Sequence, residues 1–227
     1  YSADAAAVAR LRAELGPTVE VIDTPHFRIA FTAGRVFVDH RADLFERTYD
    51  SFLRFFRAKG FEPKPPAERM QVVLFATRRE LDAFARGHAP LLEGAEGMYL
   101  ARQKRALFFN AYADAAYLRL TNEASTYERD IARFRREVAA IDSDRVIVDY
   151  GNGRTREVGR SELLAEIAGD ERKLREAKEK LRQHVNGNNV STTIHECAHQ
   201  LSFSMGLLHA GADTPHWLSE GIATLFE

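Results

Sequence analysis

The stretch Thr193-Ile194-His195-Glu196-Cys197-Ala198-His199-Gln200 places two imidazoles and a carboxylate within an apolar, helix-compatible run from Val190 to Met205. At ~3.6 residues per turn, His195 and His199 fall on one helical face, about one turn apart. Two imidazoles at that spacing can chelate one tetrahedral Zn²⁺ without bending the backbone. Glu196 borders the same site without having to be a ligand, and can take the proton from a metal-activated water. The plain alternative is a helix whose histidines are packed or solvated, because the five-residue pattern alone is only moderately specific.

A catalytic zinc held by two histidines needs a third protein ligand and an open position. The run from Thr214 to Glu227 offers one. It reads as a second helix, with Thr214 as N-cap, Pro215 at the first helical position, and Trp217, Ile222, Ala223 and Phe226 as packing residues. Glu220 stands on this helix beside Gly221, and a buried carboxylate needs a partner such as a metal. Gly206 is a natural C-cap for the first helix. The connection from Leu207 to Asp213 is long enough for the second helix to return antiparallel and aim Glu220 at the two histidines.

The pattern H-E-x-x-H followed by Trp217-Leu218-Ser219-Glu220-Gly221-Ile222-Ala223-Thr224 resembles the gluzincin clan of zinc metallopeptidases. More specifically, it is similar to a bacterial family of uncharacterised peptidase-MA-like proteins. The resemblance covers His195 to Glu227 and is loose upstream. It implies that His195, His199 and Glu220 are the zinc ligands and Glu196 the catalytic base. It also implies an α+β, zincin-like fold: a small mixed sheet whose edge strand lies over the HExxH helix and receives an extended peptide, followed by the Glu-bearing helix. Many gluzincins carry an acidic residue four positions after the Glu ligand, bonded to the first His. Thr224 stands there in this chain. Aminopeptidases of the clan carry a G-x-M-E-N-type element near the edge strand. Gly97-Met98-Tyr99-Leu100 lacks it, which favours an endopeptidase.

The upstream chain supplies the elements that would position this site. Ala5 to Leu15 is helix-prone and stopped by Gly16-Pro17. Val19 to Asp23 and His26 to Phe31 alternate like strands. Val38 to Lys59 carries a helical apolar stripe of Leu44, Phe45, Tyr49, Phe52, Leu53 and Phe56. Gln71 to Phe75 is wholly apolar after its first residue and suits the middle of a sheet. Thr77 and Glu80 form a capping box for a helix to Arg86. Gly87 to Gly97 reads as a loop. Gly97 to Leu100 and Ala106 to Phe109 read as two strands around a basic turn, one of them the expected edge. Within 111–189, Tyr127 to Ile141 and Ser161 to His184 are charged helical patterns flanking a hairpin with a Gly151-Asn152-Gly153 turn. The dense opposite charges of the second suit a solvated face with i,i+4 pairs. Asn186-Gly187-Asn188-Asn189 reads as a loop leading into the HExxH helix, and Asn189-Val190-Ser191 has the form of a glycosylation acceptor, a pattern too common to use.

Balanced charge, with 32 basic and 33 acidic side chains in 227 residues, argues against nucleic acid as the main partner. No apolar run is long enough to span a membrane. The single cysteine, Cys197, excludes an intrachain disulfide and reads as a small core residue. The expectation is a single domain over 1–227 with an elaboration at about 111–189, continuing naturally past Glu227. It would bind one Zn²⁺ per chain and act outside the cytoplasm on a peptide or protein substrate. Tyr99, His209 and His216 are candidate oxyanion donors, with none placed by spacing. The competing readings are a catalytically silent, zinc-stabilised peptide-binding or scaffold module, and a metal-free helical core. The first does not require a base at Glu196, and Glu220 in its Trp217-Leu218-Ser219-Glu220-Gly221 context argues against the second.

Overall fold

The structure is a computed structural model that describes residues 5–88, 94–149, 153–209 and 214–227. It is a mixed α and β protein, with a small mixed sheet and six helices among the described residues. The chain divides into two compact units: residues 1–114 with 186–227, and residues 115–185.

In the first unit, α1 (Ala5–Leu15) leads to β1 (Glu20–Asp23) and β2 (Phe27–Phe31). Helix α2 (Arg35–Ala58), β3 (Met70–Phe75), α3 (Arg78–His88), β4 (Gly97–Leu100) and β5 (Arg105–Phe109) follow. The sheet order is β1-β2-β3-β5-β4. Strands β2, β3 and β5 are parallel, and the two edge strands β1 and β4 are antiparallel to their neighbours. The apolar run at Gln71–Phe75 thus occupies the centre, where a strand is covered on both faces.

Side chains alternate between the two faces. Ile29, Phe31, Val72, Leu74 and Phe108 pack with Phe45, Phe52 and Phe56 of α2 and with Cys197, Ala198 and Leu201. Ala30, Val73, Phe75, Leu107 and Phe109 pack with Leu11 of α1 and Leu81 and Ala85 of α3. Complete burial of Phe27, Phe31, Phe45 and Phe52 contributes roughly 1.5–3 kcal/mol per side chain.

The second unit contains α4 (Ala115–Ala139), the antiparallel hairpin β6 (Arg145–Asp149) and β7 (Thr155–Gly159), and the first part of α5 (Arg160–Ser204). Its core is Ile131, Val138, Val158, Leu163 and Ile167. Outside that core the helices carry ion pairs, both within a helix (Lys173–Asp170, Arg182–Glu179) and between α4 and α5 (Arg135–Glu171, Lys178–Glu128). The hairpin turn falls mostly outside the described residues, as do residues 89–93 of the expected loop and 210–213 of the connection between the last two helices.

One expectation is corrected. Asn186-Gly187-Asn188-Asn189 is helical, and α5 runs unbroken for 45 residues into the HExxH segment. A mid-helix glycine costs about 1 kcal/mol. Local bonds offset it: Thr193 donates to the Asn189 carbonyl (2.6 Å), and the Tyr112 hydroxyl donates to Oδ1 of Asn186 (3.2 Å). Asn189 is buried in this helix, so its acceptor-like tripeptide is not presented for glycosylation.

Candidate metal centre

Helix α5 is fixed to the sheet by its own apolar face and by Gln200. This fully buried side chain donates from Nε2 to the carbonyls of Gln71 (2.8 Å) and Lys104 (3.2 Å), tying the HExxH segment to β3 and to the start of β5. The helix ends as the sequence suggests: Gly206 takes the left-handed conformation (φ 74°), which a side chain would disfavour.

Helix α6 (His216–Thr224) starts one residue later than expected, with Pro215 rather than Thr214 at its N-cap. Ala223 is buried in the main core, and Phe226, just past the helix, packs on Phe52 at 5.1 Å and Phe55 at 5.4 Å between ring centroids. Trp217, expected to pack, is instead 73% exposed. The anchor of α6 is therefore its C-terminal end, against α2.

This packing brings Glu220 to the two histidines. His195 Nε2 lies 3.1 Å from His199 Nε2 and 3.2 Å from Glu220 Oε2, and His199 Nε2 lies 3.3 Å from Glu220 Oε1. A tetrahedral centre with bonds of about 2.0–2.2 Å requires ligand atoms about 3.3–3.5 Å apart, close to these separations. His195, His199 and Glu220 can therefore hold a metal ion. Burial lowers the pKa of His199, with Glu220 opposing and His195 adding to the shift, so the neutral form that ligates a metal is favoured.

Sequence reasoning missed Glu227. Its carboxylate is bonded to Nδ1 of His195. With Nε2 turned to the metal position, Nδ1–H donates to this carboxylate and fixes the ring, a usual support for a metal-binding imidazole. Thr224, the position singled out by the family pattern, is exposed. No sequence signal pointed to it: Glu227 lies past the end of α6 and 32 residues along the chain from His195.

Glu196 is held beneath β4. A Cβ on Gly97 would stand 2.7 Å from Thr192 Cγ2, 3.0 Å from Phe108 Cδ1 and 3.3 Å from Glu196 Cγ, so only glycine lets the strand pass this close. The Tyr99 backbone N–H, on the same strand, lies near enough to the Glu196 carboxylate to favour its ionised form. Burial raises the Glu196 pKa to about 7. His195 lowers it in part, Glu220 and Glu227 raise it further, and the Tyr99 backbone N–H lowers it.

Of the three candidate oxyanion donors, only His216 is at the site, 3.6 Å from Glu220 Oε1 and largely exposed. The Tyr99 ring stacks on Phe203, and its buried hydroxyl lies beside Ser204 without a well-formed hydrogen bond. His209 is exposed, its backbone N–H bonded to Thr214. Cys197 is fully buried in the main core.

No helix among the described residues is long and apolar enough to cross a membrane. No curated protein and no solved structure matches the chain. A family described as a protein of unknown function (DUF1570) matches residues 189–227, the stretch that carries His195, Glu196, His199, Glu220 and Glu227.

Proposed function

We propose that this protein is a zinc-dependent peptidase of gluzincin type, with a zincin-like arrangement of sheet and helices, that cleaves within peptide chains. The observation that carries the reading is the convergence of ligand atoms from His195, His199 and Glu220, all within 4.8 Å of one another, with a buried carboxylate beside an edge strand. A bare structural metal site needs no carboxylate such as Glu196 next to its ligands.

Zinc bound to His195, His199 and Glu220 would supply Lewis acidity, drawing the pKa of a coordinated water from about 15.7 toward about 7. The other roles belong to the chain. Glu196, with its raised pKa, accepts the proton from the attacking water and returns it to the leaving amine. Glu227 orients His195. Strand β4 offers its unpaired edge to an extended peptide, which would add as a further strand and so lie across Glu196. His216, on the exposed side of Glu220, is the candidate partner for the oxyanion.

The test is elemental analysis of the protein purified without added metal, beside a chelator-treated sample. About one zinc per chain, removed by chelator, together with zinc-restored cleavage of a peptide mixture, would support the reading. No zinc uptake, or cleavage that persists after Glu196→Gln, would reject it.

A further inference from the structure

Helix α4, in the second unit, carries a seven-residue repeat of which only half is covered. Its first row is Tyr117, Ala124, Ile131 and Val138, and its second is Leu120, Tyr127 and Phe134. The two rows stand at the spacing of the a and d positions of a coiled-coil heptad. The first row faces α5. Ile131 and Val138 pack with Leu163 and Ile167, while Tyr117 and Ala124 line an open groove of about 570 Å³ together with Leu174 and Leu181. The second row is turned to solvent: Leu120 is 42%, Tyr127 52% and Phe134 40% exposed.

The hairpin of β6 and β7 covers one end of the helix pair, through Val146, Val148 and Val158. Along the rest, from Ala115 to Asp130 of α4 and from Ala168 to Val185 of α5, no residue is buried. Helices in proteins are held mainly by the packing of an apolar face, and here a regular apolar row has none.

Charge borders this row on both sides. Glu123, Asp130 and Glu137 follow it on one flank, one to each heptad. On the other flank, across the groove, α5 presents Arg175, Lys178 and Arg182. The acids pair with Arg119 and Arg133 of α4 itself, and Lys178 and Arg182 pair with Glu128 and Glu179. Exposed pairs of this kind contribute little, so they exchange partners easily. The ion pairs Arg135–Glu171 and Lys178–Glu128 set the antiparallel register of α4 and α5. In that register Arg175 stands level with Ile131, and Arg182 with Ala124. Each is therefore one residue, about 1.5 Å of helical rise, from the level of Asp130 and of Glu123.

A second copy of the chain matches this pattern in one arrangement. When two parallel α4 helices are related by a two-fold axis running along them, identical rows meet at the seam. The acidic flank of each copy then lies on the side where the other copy's α5 stands. Asp130 faces the second copy's Arg175, and Glu123 faces its Arg182. An antiparallel pair would instead set acidic flank against acidic flank. We infer that the exposed row of α4 is the contact surface for a second copy of this chain, in a two-fold dimer with the α4 helices parallel and in register.

The test is sedimentation equilibrium of the full 227-residue chain over a wide concentration range. Two chains per particle are expected. Tyr127→Lys sets like charges side by side at the seam and should raise the dissociation constant at least about 100-fold. Asp130→Lys and Arg175→Glu should each raise it about 10-fold, and the two combined in one chain should recover most of the loss, because opposite charges meet again. That recovery cannot arise from misfolding. Orientation is read by oxidative cross-linking, in which the fully buried Cys197 does not compete. Leu120→Cys should cross-link to its own copy. One chain per particle at every concentration would overturn the dimer and leave the row to a helix of a different protein. A dimer unaffected by all three substitutions would put the interface elsewhere and overturn it equally. Weakening without recovery in the double variant would overturn the contact between Asp130 and Arg175. Cross-linking of Leu120→Cys to Phe134→Cys, but not to itself, would overturn the parallel arrangement.

Discussion

The carboxylate of Glu227 is bonded to Nδ1 of His195, while Nε2 of the same ring faces His199 and Glu220. One imidazole is thus held from both sides, with a single nitrogen left for a metal. Removing the charge of such a supporting carboxylate typically costs 10–100-fold in metal affinity. Glu227→Gln should therefore weaken zinc by about that factor in a chelator competition. Unchanged affinity would show that the bond does not orient the ring.

Glu220 completes the ligand set. Glu220→Ala should lower zinc content well below one per chain after dialysis against weak chelator, while the melting temperature of the chelator-treated protein changes little. Full zinc occupancy in the variant would mean that another carboxylate is the third ligand.

Glu196 has a different expected signature. Glu196→Gln should abolish cleavage and leave zinc bound, and loss of metal in this variant would reassign the residue as a ligand. The base must be ionised to accept a proton, so activity should fall as pH drops through its pKa. That value is about 7 without a cation, and a bound cation lowers it. The acidic limb of kcat/KM should accordingly lie below about 7. A rate that does not fall on acidification would exclude Glu196 as the base.

The close passage of β4 over α5 makes Gly97 sensitive to a single methyl. Gly97→Ala places a carbon 2.7 Å from Thr192 Cγ2. Such overpacking costs roughly 1–3 kcal/mol, readable in urea unfolding. Thr192→Ser removes the methyl in conflict and should restore part of the loss. Failure of the double variant to recover would point to Phe108 or Glu196 as the limiting contact.

At the first edge of the sheet, Arg28 donates from Nε and Nη2 to the two carboxylate oxygens of Asp23, each at 2.8 Å, and holds the Asp23 pKa below its ordinary value. The stabilisation is present above the unfolded value of ~3.9 and is lost as pH falls through the lower folded value. Asp23→Asn should therefore destabilise the protein at pH 7, and the gap from the unsubstituted chain should shrink below about pH 4. A gap that is constant with pH would mean that the pair adds nothing electrostatic.

The sequence by itself determined whatever depends on short separations along the chain. His195 and His199 share a face because of helical periodicity, which needs no knowledge of the rest of the molecule. The apolar stripe of α2, the central strand β3, the stop at Gly206 and the helix bearing Glu220 are legible for the same reason: each follows from local period, propensity or capping. Packing decided the rest. It carried α5 through Asn186-Gly187-Asn188-Asn189, where propensity predicts a loop. It left Trp217 in solvent and used Phe226 as the anchor instead, and it made β4 rather than β5 the edge strand. It also joined Glu227 to His195 across 32 residues of sequence. Such relationships depend on which surfaces meet when the sheet and helices close on a common core, and no local period encodes that.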